Sequence, residues 1–228
     1  MKKNKKSVSE ENADILKIGK ELDFATSEAY KLLRTNITFS VPDKESGKVI
    51  GITSPCPQEG KSTTSLNLAY SLAEAGNKVI LIDSDMRRPS ISKMLKMPKS
   101  PGLSNRLTNA EEKAISIGIL HENLSIMFSG DIPPNPSELI SSDNMKALIE
   151  EFRNHYDYVI VDLPPVTAVS DPLIMSKHID GLAIVIRHGH TRRRDVMETM
   201  RQLKLVNAKI LGFILNGYSK IKPSYHTI

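Results

Sequence analysis

The chain has 228 residues, and its 31 basic and 26 acidic side chains give a formal net charge of +5 at neutral pH. A single cysteine excludes a disulfide framework or a cysteine-rich zinc site. The absence of tryptophan argues against a stacking platform for single-stranded nucleic acid, so no nucleic acid partner is expected. No apolar run approaches the ~20 residues of a membrane-spanning helix. We therefore expect a cytoplasmic protein.

The positive charge is concentrated at the N-terminus, where Lys2, Lys3, Lys5 and Lys6 lie among polar residues without an apolar stretch. This composition does not fit a signal peptide and predicts a mobile, solvated basic arm over residues 1–26. Contact of this arm with anionic lipid or an acidic partner is the alternative that the charge leaves open. Residues 27–217 are predicted as one domain, followed by a short tail over residues 218–228.

Helical and strand-like segments alternate through the domain. The first helix is predicted from Ser27, a candidate N-cap, because apolar residues recur after it at helical spacing. Strands are predicted at 49–53, 79–82, 124–128, 158–161, 182–186 and 210–215, and further helices at 62–75, 144–154, 171–178 and 192–206. The strand segments are almost continuously apolar, which suits strands covered on both faces. The sequence therefore predicts an α/β fold like that of P-loop NTPases, with a mostly parallel central sheet flanked by helices.

A phosphate-binding loop is predicted between the first strand and the second helix. Residues 52–64 read ITSPCPQEGKSTT, and Gly60-Lys61-Ser62 is the end of a Walker A motif. Backbone N–H groups and the helix dipole favour an anion at such a junction. Lys61 would bridge the β- and γ-phosphates, and Ser62 would offer its hydroxyl to Mg²⁺. The strict pattern places glycine five residues before Gly60, where this chain has Pro55.

Carboxylates follow two further strands. Asp83 and Asp85 come after the apolar run 79–82, and Asp162 ends the run 158–161 in the manner of a Walker B motif. Ligands of open α/β sheets bind at this carboxyl edge, so we expect the three aspartates to converge with Lys61 and to hold Mg²⁺, partly through water. One of them would take a proton from an attacking hydroxyl. The alternative is that these aspartates cap the helices that follow.

The three motifs together resemble the bacterial tyrosine kinases (BY-kinases) of capsule and exopolysaccharide synthesis, within the deviant-Walker ATPases that include ParA and MinD proteins. The resemblance runs from about residue 27 to residue 216. Two further stretches are similar to the family: SGDIPPNPSEL at residues 129–139 and GFILN at residues 212–216. The resemblance implies a protein-tyrosine kinase that uses ATP and Mg²⁺.

The resemblance also implies roles for the matching residues. Lys61, Asp83 and Asp85 would be catalytic, with Asp83 as the base toward the tyrosine hydroxyl. Mg²⁺ would be held by Ser62, Asp83, Asp85 and Asp162. The nucleotide would be bound by Gln58, Glu59, Gly60, Lys61, Ser62 and Thr63, with Asn216 beside the adenine.

Partners follow from the same resemblance. Such kinases are switched on by the cytoplasmic tail of a membrane polysaccharide co-polymerase, which would hold this chain at the inner face of the membrane. A cognate phosphotyrosine phosphatase is the expected counterpart. Glu28, Lys31 and Arg34 resemble the family's Glu-x-x-Arg-x-x-Arg oligomerisation motif, and their spacing places them along one helix face, which predicts a homo-oligomeric ring.

Two departures from the family pattern bear on activity. Gln58 stands where the family usually has glycine, and a left-handed backbone there would cost ~1–2 kcal/mol. The C-terminal tyrosine cluster is reduced to Tyr218 and Tyr225, which are the candidate phosphoacceptors. A catalytically weak nucleotide-binding scaffold is therefore one alternative function. A ParA/MinD-type ATPase is another, although Cys56 replaces the second signature lysine of that group.

Overall fold

The computed structural model describes residues 17–41 and 46–218. Within them the strands are β1 (Lys48–Thr53), β2 (Val79–Asp83), β3 (Ile115–Ile117), β4 (Leu124–Met127), β5 (Tyr158–Asp162), β6 (Gly181–Arg187) and β7 (Ile210–Asn216). The helices are α1 (Phe24–Ser40), α2 (Lys61–Glu74), α3 (Ile91–Met94), α4 (Leu103–Thr108), α5 (Pro136–Ser141), α6 (Asp143–His155), α7 (Asp171–Met175) and α8 (Arg193–Leu205).

The strands form one sheet in the order β3-β4-β2-β5-β1-β6-β7. All neighbouring strands are parallel except β3, which runs antiparallel to β4 at one edge. Every residue of the central strands β1, β2 and β5 is buried, because helices cover both faces of the sheet. The predicted α/β fold with a mostly parallel sheet is confirmed.

Successive residues of β5 supply two cores, one on each side of the sheet. Val159 and Val161 pack with Phe152 of α6, whereas Ile160 packs on the opposite face with Leu68 of α2. Each side chain buried in this way stabilises the fold by ~1.5–3 kcal/mol. Helix α2 is buried along nearly its whole length, so the loop that leads into it is fixed by the core.

The first helix begins earlier than predicted. Helix α1 begins at Phe24 because Asp23 is its N-cap, accepting a hydrogen bond from the Thr26 N–H at 3.0 Å. Ahead of it, Ile18 is buried and the Gly19 N–H donates to Asn67 Oδ1 at 2.9 Å. Ile18 and Gly19 therefore pack on the domain, and the arm boundary at residue 26 stays a prediction. Residues 1–16, with the lysine cluster, lie outside the described residues.

The short elements were the hardest to predict. Strand β3 has three residues and helix α5 has six, too few to show a periodicity in the sequence. Across residues 17–41 and 46–218, no helix has both the length and the apolar character that crossing a bilayer requires.

Candidate active site

The phosphate loop, residues 54–60, leads from β1 at the centre of the sheet into α2. Gly60 has a φ of +89°, and a Cβ there would collide with the side-chain amide of Asn216. Gln58 has a φ of +64°, so the left-handed backbone that the sequence analysis considered at this position is present. The loop joins a strand and a helix that are both buried.

A buried carboxylate shapes the loop from within. The Glu59 side chain has no exposed area. One carboxylate oxygen accepts from the Cys56 N–H at 3.0 Å, and the other accepts from the Thr191 hydroxyl at 2.5 Å. Glu59 was predicted as a nucleotide-binding residue, but its side chain is committed to these internal contacts. Its side chain therefore supports the shape of the loop, and Thr191 is a residue that the sequence analysis missed.

The ends of β6 and β7 hold the loop from the outside. Arg187 Nη1 donates to the Gln58 carbonyl at 3.1 Å, and Asn216 Nδ2 donates to the Glu59 carbonyl at 2.9 Å. Asn216 also lines a cavity of about 640 Å³ together with Tyr30 and Tyr218. Asn216, which was predicted to lie beside adenine, is thus next to both the phosphate loop and an open cavity.

Lys61 connects the phosphate loop with the acidic strand ends. Its Nζ lies 3.1 Å from Asp85 Oδ2 and 3.4 Å from Asp162 Oδ2, and it donates to Ser62 Oγ at 3.2 Å. Asp162 also accepts from the Ser65 hydroxyl of α2 at 3.0 Å. The predicted convergence of Lys61 with the strand-end aspartates is therefore seen.

Asp83, like Asp162, is completely buried. It ends β2 directly opposite Asp162 of β5, has no exposed area, and accepts from the backbone N–H groups of Asp85 at 3.2 Å and Ile91 at 3.3 Å. Burial first, and then the charge of Asp162, raise the pKa of Asp83 to about 8. A carboxyl group in this range is suited to exchange a proton near neutral pH.

The neighbouring groups respond to the same crowding. Burial lowers the pKa of Lys61, but the charges of Asp162, Asp85 and Asp83 outweigh it, so the pKa of the ammonium group is raised. Burial raises the pKa of Asp162, against the opposing effect of Lys61. The Lys61 ammonium group therefore stays protonated, and its single positive charge interacts with several carboxylates at once.

A cavity of about 810 Å³ opens over Lys61 and Asp85. Gln58, Gly60, Lys61, Ser62 and Thr63 line its phosphate-loop side. The opposite side combines the charged residues Asp85, Arg87 and Arg88 with the apolar residues Met94, Pro164, Pro165, Ala168 and Val169. The volume is within the ~300–1,000 Å³ of ligand pockets, and the mixed lining offers both phosphate-binding and apolar contacts.

The oxygen groups at this site fit Mg²⁺ only together with a phosphate. In the described part of the chain no three acidic, histidine or cysteine side chains are placed to hold a metal ion by themselves. Mg²⁺ commonly takes one or two protein carboxylates and completes its octahedron with water and substrate phosphates. The Ser62 hydroxyl and the carboxylates of Asp85 and Asp162 match that incomplete set of hard oxygen donors.

A further buried carboxylate, that of Asp171, extends the site beyond the predicted residues. Asp171, at the start of α7, has no exposed area and is paired with Arg87, whose Nε lies 3.2 Å from Asp171 Oδ2. Ser137 of α5 bonds to both of them. Ser137 lies in the family-like stretch 129–139, but the pairing of Arg87 and Ser137 with Asp171 had no signal in spacing because the three residues are far apart in the chain.

The predicted oligomerisation residues do not share one environment. Lys31 and Glu28 form an exposed ion pair at 2.8 Å within α1. Arg34 instead points at α2 of the same chain, where its Nη1 donates to the Ser71 carbonyl at 2.6 Å. Arg34 therefore has a hydrogen-bond partner within its own chain, and its predicted place at an oligomer interface stays a prediction. A role for Glu28 and Lys31 in oligomerisation stays a prediction.

Of the two candidate phosphoacceptors, Tyr218 lies among the described residues and Tyr225 does not. Tyr218 is 45% exposed and its ring meets the ring of His188 edge to face at 5.1 Å. Tyr225 lies outside the described residues. Both assignments stay predictions.

The chain is similar to proteins of known type over most of its length. It is 38% identical to the tyrosine-protein kinase YwqD of Bacillus subtilis over 225 residues, which cover 98% of this chain and 93% of the relative. A family model described as NUBPL iron-transfer P-loop NTPase, of the ParA group, matches residues 46–227.

Two solved structures are similar in both fold and sequence. The chimerical protein CapA2B2 is 35% identical with a TM-score of 0.81, and the match covers 88% of each chain. The kinase domain of the Escherichia coli tyrosine kinase ETK is 34% identical with a TM-score of 0.80, over 89% of this chain and 79% of that one. The similarity therefore extends over the whole sheet and the phosphate loop.

Proposed function

The chain belongs to the bacterial tyrosine-protein kinases, a group of P-loop NTPases, and from that membership we propose that it transfers the γ-phosphoryl group of ATP to protein tyrosines, with Mg²⁺, in the regulation of capsular or exopolysaccharide synthesis. One observation carries the proposal. Lys61 of the phosphate loop lies within 3.4 Å of the carboxylates of both Asp85 and Asp162, at the edge of the sheet where Asp83 also ends its strand. A cation and acidic groups in this arrangement suit phosphoryl transfer.

Each side chain has a distinct task in this reaction. Lys61 binds the β- and γ-phosphate oxygens, supported by the N–H groups of the loop and by Thr63. Asp83 takes the proton from the tyrosine hydroxyl as the tyrosine oxygen bonds to the γ-phosphorus and the bond from that phosphorus to ADP breaks. Asp85, Asp162 and Ser62 would hold Mg²⁺, which neutralises phosphate charge when bound.

The nucleotide base is assigned to the cavity beside Asn216. That cavity is lined by Tyr30, Ile214 and Tyr218 and adjoins the phosphate loop through the hydrogen bond from Asn216 to Glu59. An aromatic and aliphatic lining suits a planar base, and the Asn216 amide offers polar contacts.

A phosphotyrosine assay with ATP and Mg²⁺ tests the proposal. Wild type is compared with Lys61→Met, Asp83→Asn and Lys78→Met, the last an exposed lysine outside the cavity that serves as the matched control. We expect the first two variants to lose at least ~100-fold in rate and the control to keep wild-type activity. Nucleotide binding without phosphotyrosine in wild type would favour a scaffold instead.

Activation and location form a second part of the proposal. We propose that a cytoplasmic tail of a membrane polysaccharide co-polymerase stimulates the kinase and recruits it to the inner face of the membrane, and that a phosphotyrosine phosphatase reverses its product. Tyr218 is a candidate acceptor because it is exposed at the end of β7. Fusing the tail of the neighbouring membrane protein should raise phosphotyrosine on Tyr218 or Tyr225, read by mass spectrometry. An unchanged signal would contradict activation by that tail.

A further inference from the structure

Arg87 is held along one edge by two polar side chains. Its Nε donates to Asp171 Oδ2 at 3.2 Å, and its Nη2 donates to Asp171 Oδ1 at 3.3 Å and to Ser137 Oγ at 2.8 Å. The Ser137 hydroxyl in turn donates to Asp171 Oδ1 at 2.6 Å. The three side chains thus form a closed network in which the carboxylate is completely buried.

This network joins three separate parts of the fold. Arg87 follows β2 and the acidic pair, Ser137 lies in the first turn of α5, and Asp171 begins α7. Ser137 belongs to the family-like stretch 129–139, to which neither the sequence nor the proposed reaction gives a role. The network therefore supplies a reason for a serine in that stretch.

The other edge of the Arg87 guanidinium is open. In residues 17–41 and 46–218, no hydrogen-bond acceptor is placed for Nη1, although a guanidinium offers five N–H donors. The side chain is 38% exposed and lines the same cavity as Lys61 and Asp85. A planar fork that is fixed on one side presents its free N–H groups in a defined direction, which suits a phosphate oxygen.

We propose that Arg87 donates from its Nη1 edge to a γ-phosphate oxygen of the bound nucleoside triphosphate, and that Asp171 and Ser137 are positioning residues for it. The inference rests on the proposed function. An arginine supplied by the same chain stabilises charge on a transferring phosphoryl group in other phosphotransferases. Here the buried carboxylate and the serine hydroxyl fix the side chain before nucleotide binds, so little rotamer freedom is lost on binding.

Binding of two nucleotides tests the proposal without requiring turnover. Dissociation constants for a non-hydrolysable ATP analogue and for ADP are measured by calorimetry with Arg87→Lys, Ser137→Ala and Ser137→Thr. Ser141→Ala is the matched control, because Ser141 lies on the same helix and its hydroxyl donates to the Glu138 carbonyl, outside the Arg87 network. We expect Arg87→Lys and Ser137→Ala to weaken the ATP analogue about fivefold while ADP stays within about twofold of wild type. Ser137→Thr keeps the hydroxyl and should restore the affinity.

Three results would overturn the inference. An equal loss for ADP and the ATP analogue would mean that the network supports the phosphate loop in general. Unchanged affinity for both would mean that Arg87 does not touch the γ-phosphate, and a change only in KM for a tyrosine peptide would assign Arg87 to the acceptor. Lys61→Met in the phosphotyrosine assay separates the two proposals, since loss of phosphotyrosine there supports the proposed function even where the Arg87 variants bind both nucleotides as wild type does.

Discussion

At the scale of single residues, Asp83 links protonation to stability. Its pKa is raised to about 8 from 3.8, first by burial and then by the charge of Asp162, so the folded protein keeps a proton that the unfolded chain has released. Between these pH values the free energy of unfolding falls as pH rises, by at most ~1.4 kcal/mol per pH unit. We expect the denaturant concentration at the midpoint of unfolding, for the nucleotide-free and chelator-treated protein, to decrease as the pH is raised from about 5 to about 8. Asp83→Asn should flatten this pH profile.

Asp131 provides the control for this titration. It is an exposed carboxyl group whose pKa is lowered by hydrogen bonds from Asn105 and Ser100, so it is ionised in both states over the range tested. Asp131→Asn should therefore leave the slope of the profile unchanged. A slope that persists in Asp83→Asn would assign the titration to another group.

Thr191 gives a second prediction at this scale, and one that contrasts with Arg87. Thr191→Val removes one of the two hydrogen bonds described for the buried Glu59 carboxylate. The loss should lower the free energy of unfolding by ~1–3 kcal/mol. Because the phosphate loop serves every nucleotide, ADP and an ATP analogue should weaken by the same factor. Calorimetric titration measures both, and Thr191→Ser should bind almost as wild type since it keeps the hydroxyl. Selective loss of the ATP analogue would contradict this role.

The sequence predicted the residues proposed to bind phosphate and to transfer protons, but not the residues that position the site through hydrogen bonds. Lys61 and the strand-end aspartates follow from a loop motif and from parallel strands ending at one edge. Thr191 and Asp171 contact residues that lie 132 and 84 positions away, and such pairings leave no local pattern. Gln58 was predicted to be strained if left-handed, and the bond from Arg187 to its carbonyl shows how that backbone is held.

At the scale of elements, α1 is attached to the domain through Arg34. The guanidinium donates to the Ser71 carbonyl and hydroxyl of α2, whereas Ile37 is the one buried residue within α1. We expect Arg34→Ala to lower the free energy of unfolding by ~1–2 kcal/mol and to speed amide exchange along α1. Denaturant titration and hydrogen exchange measure the two effects.

Arg201 is the matched control for this helix attachment. It is an exposed arginine on α8 that pairs with Glu198 three residues earlier on the same helix. Such surface pairs contribute little, so Arg201→Ala should change the free energy of unfolding by less than about 0.5 kcal/mol. Equal effects of the two substitutions would show that Arg34 does not anchor α1.

The boundaries of elements show where local patterns stop being sufficient. The prediction placed the start of α1 at Ser27, but Asp23 is the residue whose side chain caps the helix. Both residues are common N-caps, and the choice depends on where the preceding segment packs, here through buried Ile18 and the bond from Gly19 to Asn67. Long strands were predictable because burial on both faces leaves an apolar run, which the short edge strand β3 does not have.

At the scale of the whole molecule, the outer side of α1 offers an apolar surface beside an ion pair. Phe24, Leu32 and Phe39 are 77%, 63% and 85% exposed, and helical periodicity places them on the same side as Glu28 and Lys31. Apolar residues grouped on one helix face, rather than scattered singly, are typical of an interaction surface. This grouping is compatible with the predicted homo-oligomer, in which Glu28 and Lys31 would form part of the contact.

Oligomerisation through this surface is testable by mass in solution. We expect wild type to form an oligomer in light scattering after size-exclusion chromatography, and Leu32→Asp to shift it toward the monomer, because the substitution places a charge in a desolvated contact. Leu205→Asp is the matched control, since Leu205 is 71% exposed on α8 at a distance in sequence from α1. If Leu32→Asp and Leu205→Asp have the same mass as wild type, the contact lies elsewhere. A wild type that stays monomeric at every concentration would contradict the ring itself.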